Sequence, residues 1–168
     1  MPSIIEGSLT FDFPSHWKAS KFDNWIFYRN QFQKVCGGSK AIDILAIEPK
    51  VCFWVLEIKD YRLHPRVKAI GMVDEMTSKV RDTLAALVAA KVNANDDEEK
   101  DLATKALQCS RIRVVLHLEQ PIKHSTLFPR AINPANVLLS LRRLIKAIDP
   151  HPLVIETNRM LGVAWTAR

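Results

Sequence analysis

An α/β domain with a mixed central sheet flanked by helices is the architecture this sequence predicts. Three observations predict it. Two β-rich runs at 41–47 (AIDILAI) and 51–61 (VCFWVLEIKDY) are separated by a short break at Glu48-Pro49-Lys50. The second run is apolar on both alternating sets, Phe53 and Val55 on one and Trp54, Leu56 and Ile58 on the other, as in a strand covered on both faces. Beyond it, Met72, Met76, Val80, Leu84, Leu87 and Val88 recur at helical spacing, which predicts a long helix over 73–92.

The remaining elements follow in order. Residues 15–32 hold Trp17, Phe22, Trp25, Ile26, Tyr28 and Phe32 with no Gly or Pro, and Pro14-Ser15 suits a helix entry, so a first helix is expected there. The aromatics Trp17, Trp25 and Phe32 are expected in its core contacts. Cys36-Gly37-Gly38-Ser39 breaks the pattern. After the long helix, the charged segment 93–101 (NANDDEEKD) leads into a short helix near 98–108, whose acidic first turn suits the helix dipole. The run 111–118 (RIRVVLHL) alternates as a strand does, and Pro121 ends it. Asn133-Pro134 opens a last helix with Val137, Leu138, Leu141, Leu144, Ile145 and Ile148 on its apolar side, and 153–156 returns as a strand. The expectation is one domain over 1–168, its core at about 15–120 and the helix and strand of 133–157 packed on it.

With 168 residues and 48% hydrophobic content, the chain can bury a real core. Lys and Arg number 24 against 18 acidic residues, a net charge of +6 that favours a polyanionic partner such as nucleic acid. Cys36, Cys52 and Cys109 are odd in number and far apart, which suggests neither a disulfide framework nor a CxxC zinc site and fits a reducing compartment. The histidines lack HExxH spacing, and the start MPSIIEGSLTFDF lacks the charged and apolar regions of a signal peptide. The longest apolar stretch, 84–90, is far short of the roughly 20 residues of a membrane span. A soluble, cytoplasmic protein is expected.

The chemistry concentrates on the two β-runs. Glu57 and Lys59 are two apart on one strand and therefore point to one face. Asp43 joins them only if opposed residue numbers sum to an even value. A three-residue connection, 49–51, places 43 opposite 57, whereas a two-residue Pro49-Lys50 turn opposes 43 to 56 and separates the acids unless a bulge restores the phase. Charges on so apolar a strand are costly to bury alone and should share a cluster with a partner or an ion. Two carboxylates on adjacent strands suit a hard cation such as Mg²⁺, with Mn²⁺ as substitute; the carbonyl of Ile58 supplies a further oxygen. Lys59 would then orient water or stabilise developing negative charge.

At these residues the sequence resembles the PD-(D/E)XK, or restriction endonuclease-like, superfamily. The likeness covers about the first two-thirds of the chain and implies an αβββαβ core in which Asp43, Glu57 and Lys59 are catalytic and Asp43, Glu57 and Ile58 hold the metal. Its first strand would be a short one at 33–36. Ile42 stands where the motif's name has proline. The superfamily often adds an acid from the first helix; that helix has no Glu, so Asp23 or Glu6 would substitute, and Lys79 would turn toward the site from the long helix. The implied function is a Mg²⁺-dependent nuclease, most readily a DNA endonuclease, acting as a homodimer or within a larger nuclease assembly. Its rivals are a catalytically inactive nuclease-fold module for nucleic-acid binding or assembly, and an unrelated α/β domain with a basic binding face. Arg62, at the mouth of the site with His64, and Arg142 and Arg143 on the last helix are candidate phosphate contacts.

Overall fold

The computed structural model describes residues 1–63, 71–121 and 132–168. His64 lies outside the described residues. Among these residues the chain runs β1 (Ser3–Glu6), β2 (Leu9–Asp12), β3 (Lys18–Lys21), β4 (Ile44–Glu48), β5 (Cys52–Asp60), α1 (Met72–Asn93), α2 (Asp97–Leu107), β6 (Arg111–Glu119), α3 (Pro134–Ile145), β7 (Leu153–Ile155) and β8 (Thr166–Ala167). A five-stranded sheet has the order β3-β4-β5-β6-β7, and a three-stranded sheet the order β1-β2-β8. Strands β3, β4 and β5 are antiparallel; β5, β6 and β7 are parallel. The α/β class and the mixed sheet with flanking helices are thus as expected.

Parallel pairing of β5 with β6 needs a crossover, and α1 with α2 supplies it. The helices leave one apolar stripe each on the sheet, where Leu45, Phe53, Val55, Val114 and Leu116 meet Met76, Val80, Leu87, Leu102 and Leu141. The opposite sheet face, carrying Ile44, Trp54, Leu56, Ile58 and Val115, packs on Phe11, Phe13, Trp17 and Trp165 beneath the small sheet. Strand β5 is therefore covered on both sides, which is why its sequence shows no polar alternation. Helix α2 is capped by Asp96, whose side chain accepts from the Glu99 N–H, and α3 by Asn133, which accepts from Ala135 N–H.

The segment 15–32 is not a regular helix. It begins as β3, an edge strand paired with β4 from Lys18↔Ile47 to Lys21↔Ile44, and continues as a 3-10 turn (Phe22–Asn24) and a π-type turn (Tyr28–Phe32). The physical reason is tertiary. Without β3 the outer edge of β4 would leave its backbone groups unpaired, and pairing them outweighs a modest helical preference. The short helical stretch that does form is started by Glu99 of α2, whose carboxylate accepts from Ile26 N–H and Phe27 N–H at 2.5 and 3.0 Å. A strand at 33–36 is likewise not formed: residues Val35–Gly37 make a 3-10 turn in which Cys36 has φ of 53°. From β3 the chain runs as three antiparallel strands, the crossover helices and the parallel β6, and among the described residues no regular helix precedes β3, so the helix that opens the implied αβββαβ order is not formed.

The small sheet was invisible to periodicity, since its strands have two to four residues. Glu6 opposes Leu9, so Gly7 and Ser8 form the hairpin turn, and Gly7 has the positive φ of 58° that such a turn requires.

Candidate functional site

The register of the β4–β5 hairpin decides the site. Ile44 opposes Leu56 and Glu48 opposes Cys52, joined through the three residues 49–51, with Lys50 in the left-handed region at φ 62°. Opposed numbers sum to an even value, and Asp43, just before β4, lies across from Glu57. There the ladder loosens: Asp43 N–H donates to the Leu56 carbonyl at 3.2 Å, while its carboxylate Oδ2 accepts from Ile58 N–H at 2.6 Å. A side chain has taken the place of a backbone acceptor.

Glu57 is fully buried beneath α1. Its Oε1 receives two ammonium groups at 2.6 Å, Lys59 from its own strand and Lys79 from α1. Lys79 also reaches Asp43 Oδ1 at 3.5 Å, and Lys59 reaches Glu75 Oε1 at 3.6 Å. Asp43, Glu57 and Lys59 therefore converge, joined by Lys79 and by Glu75. The expectation that charges on this strand share a cluster is met, and the partners are side chains of the long helix. Glu75 went unnoticed in the sequence, although its i,i+4 spacing from Lys79 was a usable signal.

Burial pushes the Glu57 carboxyl up to about 7, Asp43 adds to that, and the two lysines oppose it. Burial also raises Asp43, against Lys79 and the Ile58 N–H. Burial pulls the Lys59 ammonium down, but Glu57, Glu75 and Asp43 outweigh it and hold it above the usual lysine range. Glu57 Oε2 is shielded from solvent and receives no hydrogen bond among the described residues.

These groups bear directly on Mg²⁺. Both oxygens of Asp43 are engaged, both lysines stand on Glu57 Oε1, and among the described residues no group of three or more His, Cys, Asp or Glu is placed to hold a metal ion. The ammonium groups stand on Glu57 Oε1 and Asp43 Oδ1, while Glu57 Oε2 has no hydrogen-bond partner among the described residues.

The accessory acids lie nearby. Glu6, at the end of β1, pairs with Lys21 at 2.7 Å, and Lys21 also donates to the Ile5 carbonyl. Asp23 sits in the 3-10 turn; burial raises its carboxyl, and Glu6 and Asp43 add to the effect. A cleft of about 490 Å³ opens beside Asp43 and Lys79, lined further by Asp23, Tyr28, Arg29, Gln33 and Ala41.

Other candidates separate from this cluster. Arg62 is held by Asp60, which accepts from its Nε at 2.9 Å and from its Nη2 at 2.5 Å, and it donates to Ser8 Oγ. That pairing holds the Asp60 carboxyl down at about 2. Arg62 is thus a clasp between β5 and the β1–β2 turn. Arg142 and Arg143 are exposed on α3 and make no side-chain ion pair among the described residues.

A second polar cluster lies on the opposite sheet face, where sequence reading placed nothing. His117, fully buried, has Nε2 at 2.9 Å from Glu119 Oε1, which also accepts from the Thr157 hydroxyl and N–H, both at 2.6 Å. Burial lowers the His117 imidazole; at Glu119, burial is outweighed by Thr157 and His117, which hold the carboxyl low. The signal was two polar residues two apart in an apolar strand, HxE, whose shared face must otherwise carry an unpaired charge.

No family model and no solved structure matches the chain. The chain is similar to the cysteine–tRNA ligase of Neisseria meningitidis serogroup A / serotype 4A (strain DSM 15465 / Z2491), with 36% identity over 172 aligned residues. The match takes in 82% of this chain and 24% of that protein, so the chain spans about a quarter of its relative's length. This overturns the expectation of a Mg²⁺-dependent endonuclease and its alternative of an inactive nuclease-fold module, together with the hydrolase class: the relative is named for ligation to tRNA, not for phosphodiester cleavage. The finding lends no support to DNA as partner or to a homodimer. Among the described residues, no helix is long and apolar enough to cross a membrane.

Proposed function

We propose that this chain is a tRNA-binding module that works with, or as part of, an enzyme attaching cysteine to tRNA. The observation that carries this reading is the 36% identity to a cysteine–tRNA ligase across 82% of the chain. The chain's chemistry is compatible with it. A net charge of +6 suits a polyanion, and the exposed guanidinium groups of Arg142 and Arg143 offer phosphate contacts from one turn of α3. Because the matched segment is about a quarter of the relative, the reading assigns binding to this chain and not the ligation step itself.

In this reading the Asp43–Glu57–Lys59–Lys79–Glu75 cluster has a supporting role. It ties the crossover helix to the central strand and fixes the floor of the adjacent cleft. The test is an electrophoretic mobility shift of the whole chain with unfractionated tRNA and with duplex DNA of matched length. Binding to tRNA that weakens steeply with salt, and exceeds DNA binding at equal ionic strength, is the expected result. No retardation of tRNA at low salt would end the proposal.

A further inference from the structure

The cleft beside Asp43 gathers unlike groups in one concavity: the Asp23 carboxyl, the Gln33 amide, the Arg29 guanidinium and the Tyr28 ring, with Lys79 and Asp43 at its floor. Its volume of about 490 Å³ lies within the range of small-ligand sites and is too confined for a double helix. We propose that this cleft receives one unpaired nucleotide of an RNA, with Asp23 and Gln33 meeting the amino-bearing edge of its base and Arg29 facing its phosphate. The proposal rests on the tRNA reading and narrows it to a single-stranded element.

Asp23 is half-buried in the cleft wall, and its Oδ1 receives no hydrogen bond among the described residues. The nearest cations are already committed. Lys79 stands on Glu57 and Asp43; Lys21 stands on Glu6; Arg29 donates through Nε to the Asp23 carbonyl and through Nη2 to Asn24 Oδ1. Arg29 remains exposed, so a terminal N–H is still accessible for an incoming anion. The wall thus sets a carboxylate and an amide beside a cation, the complement of a nucleobase amino group joined to a phosphate. A bare phosphate fits less well, because Asp23 and Asp43 share the lining. RNA offers such a group where a base is unstacked and splayed out, the form in which proteins read RNA sequence.

Uracil presents its ring N–H between two carbonyl oxygens and no amino group, so it should bind most weakly. The experiment is a ¹H–¹⁵N correlation titration of the whole chain with AMP, CMP, GMP and UMP in turn, with L-cysteine in a separate arm. Shifts at the amides of 23–33 and 79 with at least one amino-bearing nucleotide, and several-fold weaker binding of UMP, are expected. Asp23→Asn and Gln33→Ala should each weaken that binding about tenfold, with the rest of the spectrum unchanged. Retained binding in both variants, equal binding of UMP, or shifts with cysteine alone would overturn the proposal. If no nucleotide moves the cleft amides up to about 10 mM while tRNA still retards the chain, the cleft assignment falls and the tRNA reading stands. If tRNA fails as well, both fall.

Discussion

Lys79 Nζ of α1 lies 2.6 Å from Glu57 Oε1 of β5, so the centre of the long helix is bonded to the most buried carboxylate of the central strand. Removing the ammonium leaves Glu57 with Lys59 alone against Asp43. Lys79→Met should destabilise the chain by about 3 kcal/mol, the scale of breaking a buried pair on one side, as read from urea unfolding. It also frees oxygens on Asp43 and Glu57. Calorimetric titration should then show Mn²⁺ binding in the variant tighter than in the parent chain. Equal affinities in the two would mean that Lys79 is not standing in for a cation.

Glu57 gives stability an unusual sign of pH dependence. Its carboxyl titrates near 7 in the folded chain against 4.5 for an exposed glutamate. A folded-state pKa raised above the unfolded one adds stability that is complete below 4.5 and is lost as pH rises through 7. For a shift of this size the effect is about 3 kcal/mol. Urea midpoints of the parent and of Glu57→Gln, compared from pH 5 to pH 8, should show a downward slope in the parent that flattens in the variant. A parent profile with the same slope as the variant would contradict the assignment.

On the other face the sign reverses. The His117 imidazole is lowered by burial, and its Nδ1 is shielded and without a hydrogen-bond partner among the described residues. Its contribution is therefore present above the unfolded value of 6.5 and is lost as pH falls. The ring signals of His117 should titrate below the ordinary imidazole value of 6.5. Thr157→Val removes one of the donors on Glu119 and should cost about 1 to 2 kcal/mol, measured by urea unfolding at neutral pH.

Arg142 and Arg143 can be tested by salt dependence. If each neutralises one phosphate, Arg142→Gln with Arg143→Gln should lower the slope of log affinity against log salt by about 0.7 to 0.9 per residue, with folding unchanged because both side chains are exposed. Arg62→Gln serves as the contrast: its guanidinium is spent on Asp60 and Ser8, so the salt slope should stay as it was while stability drops.

Much of the frame was legible in the sequence. The apolar alternation of β5 announced a strand covered twice, and the 3.6-residue spacing of Met72, Met76, Val80 and Leu87 announced α1, because each pattern repeats often enough to define a face. The first helix was misread for the complementary reason. Trp17, Phe22, Trp25 and Phe27 are all buried, but against different layers, and the free edge of β4 drew the segment into a strand. The small sheet left no trace, since strands of two to four residues carry no period.

The chain by itself determined that Glu57 and Lys59 share a face, that this face is apolar, and that isolated charges there require partners. Only the tertiary structure decided who the partners are. The hairpin register put Asp43 across from Glu57, and the packing of α1 delivered Lys79 and Glu75, residues 22 and 18 positions further along the chain from Glu57. Spacing along one strand is fixed by the covalent backbone, whereas the meeting of two elements depends on loop length and on which buried surfaces fit, and neither is written in any local window of residues.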